Sequence, residues 1–236
     1  MNKVAVDDFF AAWSIYDRVV DLNYMFHDEI YRGIATLLME RFAARPFSIL
    51  DLGCGSAQHF AKALQGRRIS HYLGYDLSEI ALGQARRNLA PLNCPVEFKQ
   101  ADFFEGLRAG DDKYSLIFSS YALHHLTSSD KGRFFQIARE RLTAGGLLLL
   151  IDIAREENED RATFLLNYCA WIQSNWNNLP QQALDLIFNH IRQCDFPEPD
   201  DALHAMAEKG GFVRGVNVAR FLWHRMWIFD SDHTIC

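Results

Sequence analysis

Ile49-Leu50-Asp51-Leu52-Gly53-Cys54-Gly55-Ser56-Ala57 decides the fold, because an apolar strand carrying one acid runs straight into a glycine-punctuated turn. Glycine at both Gly53 and Gly55 lets the backbone approach a ligand without a Cβ in the way, which is how α/β folds build a nucleotide pocket. About 23 positions beyond Gly53, His71-Tyr72-Leu73-Gly74-Tyr75-Asp76-Leu77 reads as a second strand ending in a carboxylate, the usual partner of a ribose diol. Strand, turn, helix and strand-end acid together predict one cofactor site.

A dinucleotide fold wants Gly-x-Gly-x-x-Gly, but this chain reads Gly53-Cys54-Gly55-Ser56-Ala57-Gln58, with no third glycine. It has instead an acid two residues before the first glycine, and another, Asp102, closing a third strand-like run, Val96-Glu97-Phe98-Lys99-Gln100. Four motifs follow in order: Asp51-Leu52-Gly53-Cys54-Gly55, Gly74-Tyr75-Asp76-Leu77-Ser78, Gln100-Ala101-Asp102-Phe103-Phe104, and Phe118-Ser119-Ser120-Tyr121-Ala122-Leu123-His124-His125-Leu126. In this order the chain resembles the class I S-adenosylmethionine-dependent methyltransferases. Ala57 stands where many members of that family carry a third glycine.

Outward from the motifs, apolar strands alternate with helical stretches: 47–52, 72–75, 96–100, 116–120 and 147–153. That alternation predicts a parallel sheet with right-handed crossovers. A helix over about 131–142 is expected to stop before Gly145-Gly146, glycines suited to the turn into a buried strand. Before the sheet, Phe9, Trp13, Tyr16, Val20, Tyr24, His27, Tyr31, Leu38 and Phe42 recur mostly every three or four positions, a helical stripe. After it, Phe164, Tyr168, Trp171, Trp176 and Phe188 mark helical segments bounded by Pro180 and Phe196-Pro197-Glu198-Pro199. A helix over 200–209 and strand-like runs at 213–218 and 220–229 close the chain. The expected architecture is one α/β domain over 1–236, doubly wound: a helical cap (1–45), the cofactor core (46–153), a helical lid (155–200) and closing elements (201–236). The resemblance implies that the last two strands complete a mostly parallel seven-stranded sheet.

With 236 residues, 49% of them hydrophobic, the chain has enough apolar surface for a core without disulfides or metal. A formal charge of -6 argues against a phosphate-backbone partner. The five cysteines show no paired spacing and no signal peptide is read, so a cytoplasmic location with reduced thiols is expected. The longest apolar run, 147–151, is too short to span a bilayer. Oligomeric state is left open.

The resemblance implies S-adenosylmethionine as cofactor and a role for each matching residue. Asp76 accepts the two ribose hydroxyls, and Asp51 orients the methionine amino group. Asp102 accepts from the adenine amine while Leu77 and Phe103 sandwich the ring, and Phe103 equally suits an ordinary core position. Gly53, Gly55 and the backbone from Ser119 onward line the methionine arm, and Gln58 and His59, in the first helical turn, suit either contact with its carboxylate or partly exposed polar positions. The segment after the fourth strand lies where open α/β sheets bind ligands. It lacks the Asn/Asp-Pro-Pro-Tyr of many nucleic-acid and protein-glutamine N-methyltransferases, which favours a small-molecule substrate.

For catalysis the candidates are His125, Tyr121 and Tyr24, with His124 as a further base, although a sulfonium carries its own leaving group and positioning can suffice. Tyr24, His27 and Tyr31, at i, i+3 and i+7, are expected to share one helical face and to form either a substrate wall or a sealed sheet edge. His124 and His125 admit three readings: metal ligand, general base or structural group. Adjacent side chains do not share a pocket in regular structure and no third ligand is spaced nearby, so no metal is expected. The leading function is methyl transfer to a small metabolite. The alternatives are aminocarboxypropyl transfer or cyclisation releasing methylthioadenosine, a nicotinamide oxidoreductase, and a cofactor-binding subunit without activity.

Overall fold

The structure, a computed structural model, describes residues 15–43 and 45–232. Phe9, Trp13 and Cys236 from the sequence reading lie outside them.

Seven strands form one sheet in the order β3-β2-β1-β4-β5-β7-β6. The strands are β1 (Phe47–Leu52), β2 (Ile69–Asp76), β3 (Val96–Gln100), β4 (Tyr114–Ser120), β5 (Leu142–Ile153), β6 (Arg214–Phe221) and β7 (His224–Asp230). The first five run parallel, and β7 enters antiparallel between β5 and β6. Chain order reverses at β1, whose neighbours are β2 on one side and β4 on the other. The crevice beyond the carboxyl ends of β1 and β4 is therefore where a doubly wound sheet receives a ligand.

The helices are α1 (15–21), α2 (His27–Arg41), α3 (Gln58–Ala63), α4 (Glu79–Leu89), α5 (Phe103–Ala109), α6 (Ser128–Glu140), α7 (Arg161–Asn175), α8 (Gln181–Cys194) and α9 (Asp200–Lys209). Several begin where a side chain satisfies an orphan backbone donor: Ser78 accepts from Ala81 at 3.1 Å, Asp102 from Phe104 at 2.9 Å, and Asp160 from Thr163 at 2.7 Å. On one face of the sheet Ile49, Leu116, Phe118 and Leu149 pack with α2, α3 and the α7–α8 pair. On the other Leu50, Ile117, Leu148 and Leu150 pack with α5, α6 and α9. Leu147 through Ile151 are fully buried on both faces, the continuous apolar run of a covered parallel strand.

Three sequence expectations shift. Gly145 and Gly146 lie inside β5, not before it, and the strand starts at Leu142 with Gly145 at φ 70 and an irregular register opposite β4. The closing strands meet at Leu222, which turns with φ 55 without needing glycine. Tyr24 does not share a helical face with His27 and Tyr31, because residues 22–26 form a turn in which Asn23 and Phe26 take left-handed φ of 54 and 59.

Candidate cofactor site

The turn after β1 is built as its residues require. Gly53 has φ 76, and a Cβ there would lie 3.0 Å from the Cβ of Ala122. Gly55 has φ 52. Ala57 takes φ 52 as well, the left-handed conformation that explains why glycine suits this position. The Tyr75 carbonyl accepts from the amides of both Gly53 and Cys54 at 2.9 Å, so the turn hangs from the end of β2. Asp76 completes the brace: Oδ2 accepts from the Gly55 amide and Oδ1 from the Ser78 amide, each at 2.8 Å.

Asp51, at the end of β1, is 1% exposed. Its Oδ2 accepts the Tyr72 hydroxyl, while Oδ1 has no partner among the described residues. Burial raises its carboxyl to about 7, against the opposing Tyr72 hydrogen bond. Burial also raises Asp76, with the Ser78, Gly55 and Leu77 amides pulling the other way.

Asp51 and the turn from Gly53 to Gln58 share a cavity with Tyr16 and Val20 of α1, His27 and Tyr31 of α2, His59, Phe60, Phe118 and Ser120. Its volume is about 50 Å³, with Tyr16 and Val20 of α1 in its lining. Phe60 stacks on Phe118 at 4.1 Å and fixes α3 beneath the turn. The Tyr31 hydroxyl donates to Ser120 Oγ at 3.1 Å. His27 is buried, stacks on Tyr31 at 6.0 Å, and leaves Nδ1 without a partner among the described residues. Burial, then the neighbouring His59, lowers its pKa to about 3, so the ring is neutral at any ordinary pH.

Several residues singled out from sequence sit elsewhere. Ser119 faces away, fully buried, with its hydroxyl donating to the Leu52 carbonyl at 3.0 Å; strand alternation puts Ser120 on the cavity wall instead. Tyr121 donates to the Met25 carbonyl at 2.7 Å and contacts His224 Nδ1 at 3.1 Å, a tie between β4 and the α1–α2 turn. Tyr24 stacks on Trp176 at 5.1 Å, and its hydroxyl accepts from the Asn178 amide. None of these three side chains, nor His125, lines the cavity. Asp102 spends Oδ1 on the cap of α5, accepting from Phe104 and Glu105. Phe103 packs against Phe134 in the core, while Leu77 is 58% exposed at the strand end. His27, Tyr31 and Ser120 are the wall residues that motif matching does not assign; the periodicity of α2 points to the first two.

His124 and His125 also depart from expectation. They occupy a 3-10 turn (Leu123–His125), and both rings face Asp195 at the end of α8, each with a nitrogen 3.6 Å from its Oδ1. A tight turn lets consecutive side chains converge as a strand or α-helix does not, and the third group comes from 70 residues downstream.

Residues 49–146 match the family described as methyltransferase domain. An uncharacterized methyltransferase of Synechocystis sp. is 26% identical over 147 residues, 62% of this chain and 64% of the relative, so the chain spans less than two thirds of that protein's length. Among solved structures, an O-methyltransferase family protein from Burkholderia thailandensis aligns with a TM-score of 0.64 at 13% identity, covering 91% of this chain and 57% of that one. Human N-acetylserotonin methyltransferase in complex with S-adenosylmethionine aligns with a TM-score of 0.58 at 13% identity, covering 85% and 51%.

Proposed function

We propose that this chain, which belongs to the class I S-adenosylmethionine-dependent methyltransferases, passes the sulfonium methyl to a small, uncharged acceptor held against His27 and Tyr31. One observation carries the reading: a single cavity joins the glycine turn with Asp51 Oδ1 and the Nδ1 of neutral His27, two buried atoms without a hydrogen-bond partner among the described residues. A buried carboxylate oxygen without a donor is what an ammonium group satisfies. Asp51 would hold the cofactor's amino group, Asp76 its ribose diol, and the backbone of Gly53 to Ala57 the chain between them. The bound cofactor supplies the activated methyl and its own leaving group.

The residues of this chain then have one task, alignment. His27 and Tyr31 hold the acceptor atom on the line of displacement, where positioning supplies most of the rate. Neutral His27 accepts a hydrogen bond at Nδ1 and so orients a hydroxyl or amine, while the proton released by the acceptor passes to solvent. A charged acceptor would need a counter-ion in a wall that is otherwise aromatic and neutral, which favours an uncharged one. The α1 residues in the cavity lining and the net charge of -6 support a small molecule over a nucleic acid or a protein. Cys54, Cys94, Cys169 and Cys194 are unpaired, which supports a reducing, cytoplasmic setting.

The test begins with purified protein and S-adenosylmethionine alone. Intact bound cofactor, followed by S-adenosylhomocysteine once neutral phenols, alcohols or amines are added, is the expected outcome by mass spectrometry. Methylthioadenosine formed without any acceptor would replace methyl transfer with attack on the cofactor's aminocarboxypropyl chain.

A further inference from the structure

We propose that His124, His125 and Asp195 form a binding site for one divalent late first-row metal ion of the Zn²⁺ class, lying apart from the cofactor cavity. Asp195 is 3% exposed, and its Oδ1 is buried without a hydrogen-bond partner among the described residues. Three imidazole nitrogens surround that oxygen: His124 Nε2 and His125 Nδ1 at 3.6 Å, and His190 Nε2 at 3.8 Å. These separations exceed a hydrogen bond. The two to His124 and His125 are near the separation of neighbouring donors on one ion, about 3.3 Å for ligand distances of about 2.0–2.1 Å. Ligand atoms of His124, His125 and Asp195 all lie within 4.8 Å of one another.

The surrounding groups also fit. His124 Nδ1 is hydrogen-bonded to Asp152 Oδ1, and that carboxylate is itself fixed by the His124 amide at 2.8 Å and the Ile153 amide at 2.8 Å. A carboxylate on one imidazole nitrogen sets the ring's orientation and presents the other nitrogen to a metal. His125 Nδ1 lies 3.2 Å from the Cys194 carbonyl, a contact it would exchange for the ion. His190, exposed on α8, stands beside Asp195 but outside the three-residue cluster. Imidazole and carboxylate donors suit Zn²⁺, Ni²⁺ or Co²⁺ better than Mg²⁺ or Ca²⁺. The ion would clamp the end of α8 to the turn after β4, beside the bond from the Phe196 amide to the His124 carbonyl.

The experiment titrates the full-length, tag-free, chelator-treated protein with Co²⁺ and Zn²⁺, reading Co²⁺ absorption and calorimetric stoichiometry. One ion per chain with micromolar or tighter affinity and a tetrahedral Co²⁺ spectrum is expected. Asp195→Asn should weaken binding at least a hundredfold. His125→Ala, at an exposed position of the turn, should weaken it at least tenfold. His71→Ala, a surface control paired with Glu97, should leave it unchanged. Absence of stoichiometric binding at 100-fold molar excess, or equal binding by His125→Ala and the parent, overturns the site. In that case His124 serves as an imidazolium between Asp152 and Asp195.

Discussion

Asp51→Asn is the substitution that tests the cofactor site most directly. In the free protein, burial raises the Asp51 carboxyl from 3.8 to about 7. A displacement of roughly 3 units corresponds to about 4 kcal/mol against the charged form. A bound ammonium reverses that preference, so cofactor binding below pH 7 expels one proton. Affinity for S-adenosylhomocysteine, which keeps the amino group but cannot react, should therefore rise about tenfold per pH unit between pH 5 and 7 and then level. Calorimetry in two buffers of different ionisation enthalpy would count the proton, one at pH 6 and near none at pH 8. Asn keeps an acceptor for Tyr72 but not the charge. The variant should lose the pH slope and bind about 10- to 100-fold more weakly at pH 7.5, the range of a charge-assisted hydrogen bond of about 1.5–3 kcal/mol. Stability has the opposite sign. The folded, cofactor-free protein holds a proton between pH 4 and 7 that the unfolded chain has released, so Asp51 costs stability as pH rises through that interval. Asp51→Asn should be the more stable protein above pH 7 and lose that advantage near pH 4. A wild-type affinity that is flat from pH 5.5 to 7, or an Asn variant that keeps the slope, would refute the assignment of the ammonium to Asp51.

Three further outcomes are expected. Ala57→Gly relieves a left-handed alanine at φ 52, and denaturant unfolding should show a net gain of about 0.5–1 kcal/mol after the added chain entropy of glycine. His27→Gln should lower kcat for methyl transfer at least tenfold while the dissociation constant for S-adenosylhomocysteine changes less than threefold. With His27 held at about 3, no acid limb of the parent's pH profile above pH 4 should belong to it. Tyr121→Phe removes the donor to the Met25 carbonyl and should cost about 1–2 kcal/mol in unfolding free energy with kcat nearly unchanged, marking Tyr121 as structural rather than a base.

The sheet was legible because its strands are short apolar runs punctuated by glycine, and the phase of Asp51, Gly53 and Asp76 is set locally. Other features depend on information that periodicity does not carry. Asn23 and Phe26 break the N-terminal stripe with left-handed backbones; asparagine tolerates that conformation, but phenylalanine gives no sign of it, and the break removes Tyr24 from the face of His27 and Tyr31. Ser119 and Ser120 are adjacent and chemically identical, so only the pleat, seen once Tyr31 reaches Ser120, decides which one meets the cavity. Asp195 joins His124 and His125 only because α8 folds back across the strand ends, a contact between segments with no shared motif.

The smallness of the cavity has a kinetic meaning. A space of about 50 Å³ holds a few waters, whereas small-molecule sites run to about 300–1,000 Å³. Tyr16 and Val20 of α1 take up part of the cavity's lining, and the Gln84 amide donates to Asp17 at 3.0 Å. Loading the proposed cofactor therefore requires the 15–21 segment to give way, so the rate of cofactor entry should follow the strength of the tie between Gln84 and Asp17.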